Sequence, residues 1–210
     1  MISHTGKIFV RFLSKRLESK IKEATDKDQF GSQKDKGTRD AIGLMRIISK
    51  RVLEVKEEMC LCFIDCQKAF DCADWTTLLE MLRNIKFNWR KRQLIRNLYM
   101  GQRVKLRLNR GETENVEIGR GVRQGCCMSS ILFNTYGEYL MKEALAEVEG
   151  FKIWRRIMNK VRFADDTAII AKTQKALQDS VNRLVDTGRK YGMEINIDKS
   201  QVIKVSRSNE

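Results

Sequence analysis

The chain has 210 residues, a hydrophobic fraction of 42% and a formal net charge of +14, which indicate a globular protein with one large domain or two small lobes. The basic excess predicts an anionic partner such as nucleic acid. No apolar run approaches the ~18 residues of a membrane span, and "MISHTGKIFVRFLSKRL" lacks the features of a secretory signal, so we expect neither a signal nor a membrane partner.

The N-terminal part of the chain predicts two helices, a loop and a strand. Apolar residues recur on one face of a first helix from Ile8 to Ile21. The polar loop "DKDQFGSQKDKGTRD" follows, and Thr38 is expected to cap a second helix with apolar residues from Ala41 to Val55. The run "MCLCFID" predicts a buried strand that ends on Asp65.

The middle of the chain predicts two helices followed by a hairpin. Asp74 is expected to cap a third helix, and a short basic helix follows from Trp89 to Tyr99. A hairpin over 102–108 and 113–119 turns at "NRGE", and "GVRQG" forms a loop.

The C-terminal part predicts two helices and the remaining strands. A long helix over 129–148 precedes strands over 151–155, 157–163 and 167–171, and a helix over 174–191 precedes strands over 193–197 and 201–205. The whole series predicts an α+β fold in which helices pack on one face of an antiparallel sheet.

A basic segment occupies the middle of the sequence. Between Arg83 and Arg110 there are ten Lys or Arg residues and no Asp or Glu. Within it, "RVKLRL" alternates basic and apolar residues, so a strand there has one basic and one apolar face. Such a face can simply be solvated, but the absence of acids over the whole segment favours a surface that contacts phosphates.

The six cysteines do not form a metal-binding or disulfide pattern. None is spaced as C-x-x-C, and the sequence has a single histidine. Cys60 and Cys62 lie in an apolar run, where cysteine behaves as a small hydrophobic residue. We expect reduced thiols and therefore a nuclear or cytoplasmic protein.

The stretch "RFADDTAII" places two carboxylates, Asp165 and Asp166, within an apolar sequence. Adjacent strand residues point to opposite faces, so the two carboxylates converge only at a hairpin turn. Asp65 ends another strand of the same predicted sheet, and three carboxylates at one sheet edge suit a hard cation such as Mg²⁺. The alternative is a solvated Asp-Asp turn, since turns favour aspartate.

Several ordered motifs resemble those of a known family. The segments "FIDCQKAFD", "GVRQG…LFN", "RFADDTAII" and "YGMEINIDKS" resemble the successive motifs of reverse transcriptases, above all those of non-LTR (LINE-type) retrotransposons. "DQFGSQKDKGTRDAI" and "ISHTGKIFVRFLSKRL" extend the resemblance over nearly the whole chain. It implies the fingers and palm of a right-hand polymerase, with fingers over 1–57, a palm over 58–210 that contains a basic helix-hairpin insertion over 83–120, and no thumb.

The resemblance also implies a two-metal site for nucleotidyl transfer. Asp65 and Asp165 would bridge two Mg²⁺ ions, with Mn²⁺ as an alternative, and Asp166 would lie more peripherally. The backbone carbonyl of Cys66 would join these ligands. One ion would activate the 3′-hydroxyl of a DNA primer paired with an RNA template, and the other would hold the incoming dNTP.

Further residues acquire substrate roles by their positions in the motifs. Phe70 would form a bulky gate beneath the sugar, although its residue type also suits a core. Gln124 and Gly125 would lie against the template–nucleotide pair, since glycine permits close approach. Three cations would meet phosphate, or would otherwise be solvated: Lys199, Lys36 and Arg39.

Two positions depart from the family pattern. The fingers motif Gly-Phe-Arg is replaced by Gly31-Ser32-Gln33, which removes a cation. The usual Ser-Pro pair is replaced by Ser129-Ser130. These departures and the missing thumb predict a truncated element that polymerises DNA on RNA weakly or not at all, while still binding metal and duplex. The alternatives are a remnant that only binds nucleic acid and a small sheet-based RNA-binding module, which would need more exposed aromatic residues.

Overall fold

A computed structural model describes residues 4–24, 28–31, 36–109, 111–146, 148–153 and 156–207. Its helices are α1 (His4–Ala24), α2 (Thr38–Glu54), α3 (Ala69–Cys72), α4 (Trp75–Asn84), α5 (Trp89–Tyr99), α6 (Ser129–Ala144) and α7 (Gln174–Lys190). Its strands are β1 (Met59–Cys66), β2 (Arg103–Val104), β3 (Arg107–Leu108), β4 (Gly111–Glu112), β5 (Val116–Glu117), β6 (Phe151–Ile153), β7 (Arg156–Met158), β8 (Lys160–Phe163), β9 (Asp166–Ala171) and β10 (Ile195–Val205). The predicted α+β class is confirmed.

The chain divides into two compact units. The first combines Met1–Ala24 with Phe70–Tyr136, and the second combines Thr25–Ala69 with Gly137–Glu210. These units do not coincide with the predicted boundary between residues 57 and 58. That boundary concerns functional roles and stays a prediction. Across the part of the chain that the structure describes, no helix has the length and apolar character needed to cross a membrane.

The second unit is built on a four-stranded antiparallel sheet in the order β10-β1-β9-β8. The two central strands are buried on both faces, because Leu61 and its neighbours Cys60 and Cys62 are all less than 6% exposed, as are Ile169 and Ile170. This double burial explains why both strands are almost continuously apolar in sequence rather than alternating.

Helices α2 and α7 cover this sheet. Ile48 and Val52 of α2 form one buried cluster with Leu61, Val161 and Ile170 of the strands. Helix α7 packs against β9 and β1. It begins at a cap in which the hydroxyl of Thr173 accepts a hydrogen bond from the amide of Ala176 at 3.1 Å.

A buried ion pair joins α6 to β8 within the second unit. The guanidinium of Arg162 is 2% exposed, and its Nη1 lies 3.3 Å from Oε2 of Glu138. Lys142 approaches the other oxygen of Glu138 at 3.4 Å. Gly137 leaves the space that the guanidinium fills, since a Cβ there would lie 2.3 Å from Nη2 of Arg162.

The first unit is held by aromatic side chains that also use their polar groups. The indole of Trp75 donates a hydrogen bond to the carbonyl of Gly121 at 2.7 Å. The rings of Phe70 and Phe133 stack with centroids 4.7 Å apart. These contacts link α3 and α4 to the loop before α6 and to α6 itself.

Two predicted elements differ from the structure. The hairpin over 102–108 and 113–119 forms two short ladders, β2–β5 and β3–β4, rather than one continuous pair. The two strands predicted over 193–197 and 201–205 are a single strand, β10, with a register irregularity between them. Polar residues within these segments led to the predicted boundaries. In β10 the strand nevertheless continues, because it pairs with β1 on both sides of the irregularity.

The first residue of α2 was misassigned as its cap. The cap is Gly37, in an extended conformation, and its amide donates to the carboxylate of Asp40 at 2.7 Å. Thr38 is therefore the first helical residue. Asp40, three positions after the cap, thus accepts a hydrogen bond from the cap amide. This contact is one half of a capping box. Residues 154–155, at the end of a predicted strand, lie outside the described residues.

The Asp74 cap of α4 is confirmed, and it provides a stability test. Its carboxylate accepts a hydrogen bond from the amide of Thr77 at 2.7 Å. Asp74→Ala leaves that amide without this acceptor, so we expect a loss of about 1 kcal/mol in the free energy of unfolding, measured by urea denaturation. Asp179→Ala, at an exposed site in the middle of α7, should change it by less than about 0.5 kcal/mol. Equal losses in the two variants would contradict the capping role.

Candidate active site

Asp65 and Asp166 lie at the same end of neighbouring antiparallel strands. Residues of β1 and β9 pair in one constant register from Cys60 with Ala171 to Ile64 with Thr167. Continuing that register by one residue places Asp65 opposite Asp166. Side chains directly opposite one another on antiparallel strands have Cβ atoms about 4.5–5.5 Å apart, so the sheet itself brings these carboxylates together.

Asp165 lies in the turn that joins β8 to β9. Phe163 pairs with Asp166, so Ala164 and Asp165 form a two-residue connection. Ala164 has φ +57°, in the left-handed region, which suits the tight turns of two-residue hairpins. The predicted hairpin tip is therefore confirmed, and it places Asp165 directly beside Asp166.

The electrostatics of this cluster are those of crowded like charges. Burial raises the pKa of Asp166 above its ordinary value, and the negative charges of Asp165 and Asp65 raise it further. A cation lies nearby, since Nζ of Lys199 is 3.7 Å from Oδ2 of Asp65. Lys199 is 69% exposed, so solvent weakens this ion pair.

An irregularity in β10 places Lys199 near the carboxylates. Phe63 pairs with Gln201, whereas Asp65 pairs with Asn196, so β10 contains more residues than β1 over this interval. Extra residues of this kind bend a strand and redirect its side chains. The hydroxyl of Ser200 donates to the carbonyl of Asn196 at 2.8 Å, which closes the irregular segment.

Asp65, Asp166 and Lys199 line one groove of about 1060 Å³ within the second unit. Its other walls come from α2 and the sheet and are mainly apolar, including Met45, Leu61 and Phe63. The charged residues therefore stand at one side of a mainly apolar groove.

The donor set fits a hard cation in its chemistry. Asp65, Asp165 and Asp166 supply carboxylate oxygens, the ligands that Mg²⁺ and Mn²⁺ prefer. Burial first and the two neighbouring negative charges second raise the pKa of Asp166, and a bound cation would offset both effects. Within the described ranges, no three His, Cys, Asp or Glu side chains are already arranged around a point that could hold a metal ion.

Three of the residues predicted to contact the nucleotide and template lie outside this groove. Phe70, Gln124 and Gly125 belong to the first unit. Phe70 is half-buried and stacked on Phe133, while Gln124 and Gly125 are exposed. Gly125 has φ +76°, which favours glycine at this position. Their substrate roles stay predictions.

The remaining predicted site residues have separate surroundings. The ammonium of Lys36 donates to the carbonyl of Gln29 at 2.9 Å and lies 4.9 Å from the ring centroid of Phe30. Arg39 is exposed in the first turn of α2. Cys66 ends β1 and pairs with Ile195. Ser32 and Gln33, at the departure from the family motif, lie outside the described residues.

Sequence reasoning missed two residues that contact the Ala164–Asp165 turn. The side chain of Gln29 accepts a hydrogen bond from the amide of Ala164 at 3.1 Å. The backbone of Gly31 lies so close to Ala164 that a Cβ on Gly31 would be 2.2 Å from that amide nitrogen. Neither contact has a periodic signal, because both join segments more than 130 residues apart.

The basic segment over 83–110 is partly neutralised by acids that follow it. Arg103 pairs with Glu117 at 3.0 Å, and Lys105 pairs with Glu112 at 3.7 Å. On α5, Arg90 and Arg96 are exposed. The hairpin cations are paired with acids and those of α5 are exposed, so α5 is the stronger candidate for contacts with phosphates. The cross-strand pairs cannot be seen by counting cations along the sequence.

Residues 1–208 match the family model described as "Reverse transcriptase (RNA-dependent DNA polymerase)". The Pol polyprotein of the type-1 retrotransposable element R2 from Nasonia vitripennis is 29% identical over 64% of this chain and 13% of its own length. The Pol polyprotein of the type-2 element R2DM from Drosophila melanogaster is 26% identical over 91% of this chain and 18% of its own length. The RNA-directed DNA polymerase from mobile element jockey of Drosophila funebris is 24% identical over 95% of this chain and 22% of its own length. The chain thus spans less than a quarter of each of these relatives.

Solved structures share the fold. Telomerase from Candida albicans, in complex with a TWJ fragment of telomeric RNA, aligns with a TM-score of 0.73 at 14% identity, over 94% of this chain and 34% of that one. Telomerase from Candida tropicalis in the corresponding complex aligns with a TM-score of 0.69 at 13% identity, over 93% and 33%. At these identities the likeness concerns the fold.

The raised pKa of Asp166 predicts that Asp166→Asn stabilises the metal-free protein at neutral pH. A carboxyl with a higher pKa in the folded chain holds its proton more tightly when folded, so its ionisation opposes folding and stability falls as pH rises through that pKa. In EDTA, we expect a higher melting temperature for Asp166→Asn at pH 7 and no gain near pH 3, where the carboxyl is largely protonated in both states. Asp198→Asn, exposed in β10, is the control. A gain that is equal at both pH values would contradict the electrostatic cause.

Proposed function

Because this chain belongs to the reverse transcriptase family, we propose that it carries the catalytic carboxylates of an RNA-directed DNA polymerase from a non-LTR retrotransposon. The family follows from the match over residues 1–208. The observation that supports catalysis by this chain is the register of β1 and β9. Its extension by one residue sets Asp65 opposite Asp166, which directly follows the turn residue Asp165.

The proposed reaction is attack of a primer 3′-hydroxyl on the α-phosphate of a dNTP, with release of pyrophosphate. Enzymatic phosphoryl transfer depends mainly on positioning and charge stabilisation. Two Mg²⁺ or Mn²⁺ ions, held by Asp65, Asp165, Asp166 and the carbonyl of Cys66, would neutralise phosphate charge and acidify the hydroxyl. The protein's part is to fix these oxygens at the end of a rigid sheet.

Other residues would bind the substrates. Lys199, held beside Asp65 by the β10 irregularity, would contact the triphosphate. Phe70 would exclude a 2′-hydroxyl, with its ring fixed by the stack on Phe133. Gln124 and Gly125 would contact the nascent base pair, and Arg39 would contact phosphate. Lys36 already donates to the Gln29 carbonyl, so it would act mainly by ordering that segment.

We further propose that the nucleic acid is an RNA template paired with a DNA primer. The telomerases that share this fold were solved with RNA, and exposed cations on α5 supply a surface for phosphates. All six cysteines are free thiols, which supports work in a reducing nuclear or cytoplasmic compartment. Gln33 and Ser130 replace an arginine and a proline, so we expect weak extension by this chain.

The catalytic assignment is tested by primer extension on poly-rA with oligo-dT and Mg²⁺. Asp165→Asn should lower the extension rate by at least about a thousandfold. It removes a carboxylate ligand of the proposed metal ions, and such ions stabilise the transition state by several kcal/mol. Asp198→Asn changes a nearby exposed carboxylate and should keep at least about half of the activity. Extension by Asp165→Asn at the wild-type rate would refute the assignment.

The proposed phosphate surface is tested by the salt dependence of binding to an RNA–DNA duplex. Replacing both Arg90 and Arg96 with Gln should flatten the slope of log K against log salt by about one unit for each lost phosphate contact. Lys175→Gln, on an exposed face of α7 in the second unit, should leave the slope unchanged. Equal slopes for all three proteins would show that α5 does not contact the duplex.

A further inference from the structure

The segment Asp28–Gly31 lies along the free edge of β8. The amide of Arg162 donates to the carbonyl of Asp28 at 2.9 Å, and the amide of Phe30 donates to the carbonyl of Arg162 at 2.8 Å. This parallel bridge centres on Gln29 and Arg162. Nζ of Lys160 lies 3.2 Å from Oδ2 of Asp28, with both side chains largely buried. The segment is therefore fixed to the strand that leads into the catalytic turn.

The side chain of Gln29 joins this segment to the turn itself. Gln29 is fully buried. Its Oε1 accepts two backbone hydrogen bonds, from the amide of Gly31 at 2.8 Å and from the amide of Ala164 at 3.1 Å. A buried acceptor with two donors holds its partners firmly, because loss of the acceptor leaves both amides without it in a poorly hydrated place.

The turn needs such external support. Ala164 adopts φ +57°, a conformation that is unfavourable for a residue with a Cβ. Strained backbone of this kind persists where its surroundings hold it in place. The hydrogen bond to Gln29 acts on the amide of the strained residue itself, immediately before Asp165.

Gly31 supplies the shape that makes this contact possible. A Cβ at Gly31 would lie 2.2 Å from the nitrogen and 2.8 Å from the Cα of Ala164. These are backbone atoms, so a side chain at position 31 would displace the turn or the segment. The close approach is therefore specific to glycine.

From these contacts we infer that Gln29 and Gly31 are positioning residues, which hold the Ala164–Asp165 turn in the conformation that presents Asp165 and Asp166 to metal. The inference rests on the proposed function in one respect, namely that the turn presents Asp165 and Asp166 to metal ions. The hydrogen bonds and the close approach can be tested without it. Neither residue is assigned a contact with substrate.

The first test compares Gln29→Met with wild-type protein in the full 210-residue chain. Methionine keeps the length and volume of the side chain but lacks the amide acceptor. We expect the exchange rate of the Ala164 amide, followed by NMR in deuterium oxide, to rise at least about tenfold, because this amide loses its acceptor. We expect Mn²⁺ affinity, measured by titration calorimetry, to fall by about 10- to 100-fold, as for other residues that orient metal ligands.

Two controls separate positioning from general destabilisation. Leu177→Ala removes buried volume from α7 and should lower the melting temperature without changing Mn²⁺ affinity. Gln29→Glu keeps an oxygen acceptor and should retain slow exchange of the Ala164 amide. A circular dichroism spectrum that matches the wild type confirms that each variant has folded.

A glycine pair tests the same contact independently. Gly31→Ala should weaken Mn²⁺ binding and accelerate exchange at Ala164, because the added methyl group collides with that residue. Gly43→Ala, within α2, places its added Cβ more than 4 Å from every atom outside the adjacent residues and the backbone of its own helix, and it should leave both measurements unchanged. If Gly31→Ala fails to fold, Gln29→Met alone decides.

The outcomes separate this inference from the proposed function. Unchanged exchange at Ala164 in Gln29→Met, or faster exchange with unchanged Mn²⁺ affinity, overturns the inference while leaving the polymerase assignment intact. A wild-type protein that folds but neither binds Mn²⁺ nor extends a primer overturns the proposed function, and the positioning role falls with it.

Discussion

The antiparallel register between β1 and β9 determines both the core and the carboxylate cluster of the second unit. It sets Leu61 against Ile170 within the core, and extending it by one residue beyond Ile64 and Thr167 reaches Asp65 and Asp166. A slip of one residue would turn every side chain of a strand to the opposite face. Burial of the apolar pairs thus also fixes the distance between two acidic residues, with no interaction needed between the acids themselves.

That arrangement brings like charges together at the expense of stability. Burial raises the pKa of Asp166, and the charges of Asp165 and Asp65 raise it further. Each fully buried aliphatic side chain contributes about 1.5–3 kcal/mol, and both central strands carry several. The apolar residues along β1 and β9 therefore provide ample stabilisation to hold a repulsive cluster at one end. Proteins commonly accept such local cost where a charged ligand is to be bound.

Most elements of this fold could be predicted from sequence because their signals are local. Asp74 precedes an apolar helical pattern, and the run from Met59 to Ile64 has the composition of a doubly buried strand, so both were assigned correctly. The turn at Ala164 was also correct, since two strand patterns flank an acidic pair. These features depend on residues within a few positions of one another.

The unpredicted features arise from contacts between distant segments. Gln29 contacts a turn more than 130 residues away, and no local pattern marks it as buried. The continuity of β10 depends on its pairing with β1 rather than on its own polar residues at the irregularity. The cross-strand partner of Arg103 is an acid beyond the basic segment. Residue spacing cannot reveal such pairings before the topology is known.

The close fit between Gly137 and Arg162 restricts how sequences of this fold can diverge. A guanidinium fills the space that any side chain at 137 would occupy, and its charge is balanced by Glu138. A substitution at 137 therefore requires Arg162 to move or to become shorter. That change would remove the buried cation from Glu138 and leave the partly exposed Lys142 beside it. Loss of Glu138 alone would in turn leave the buried guanidinium of Arg162 without this carboxylate, so the three residues are expected to change together across related proteins.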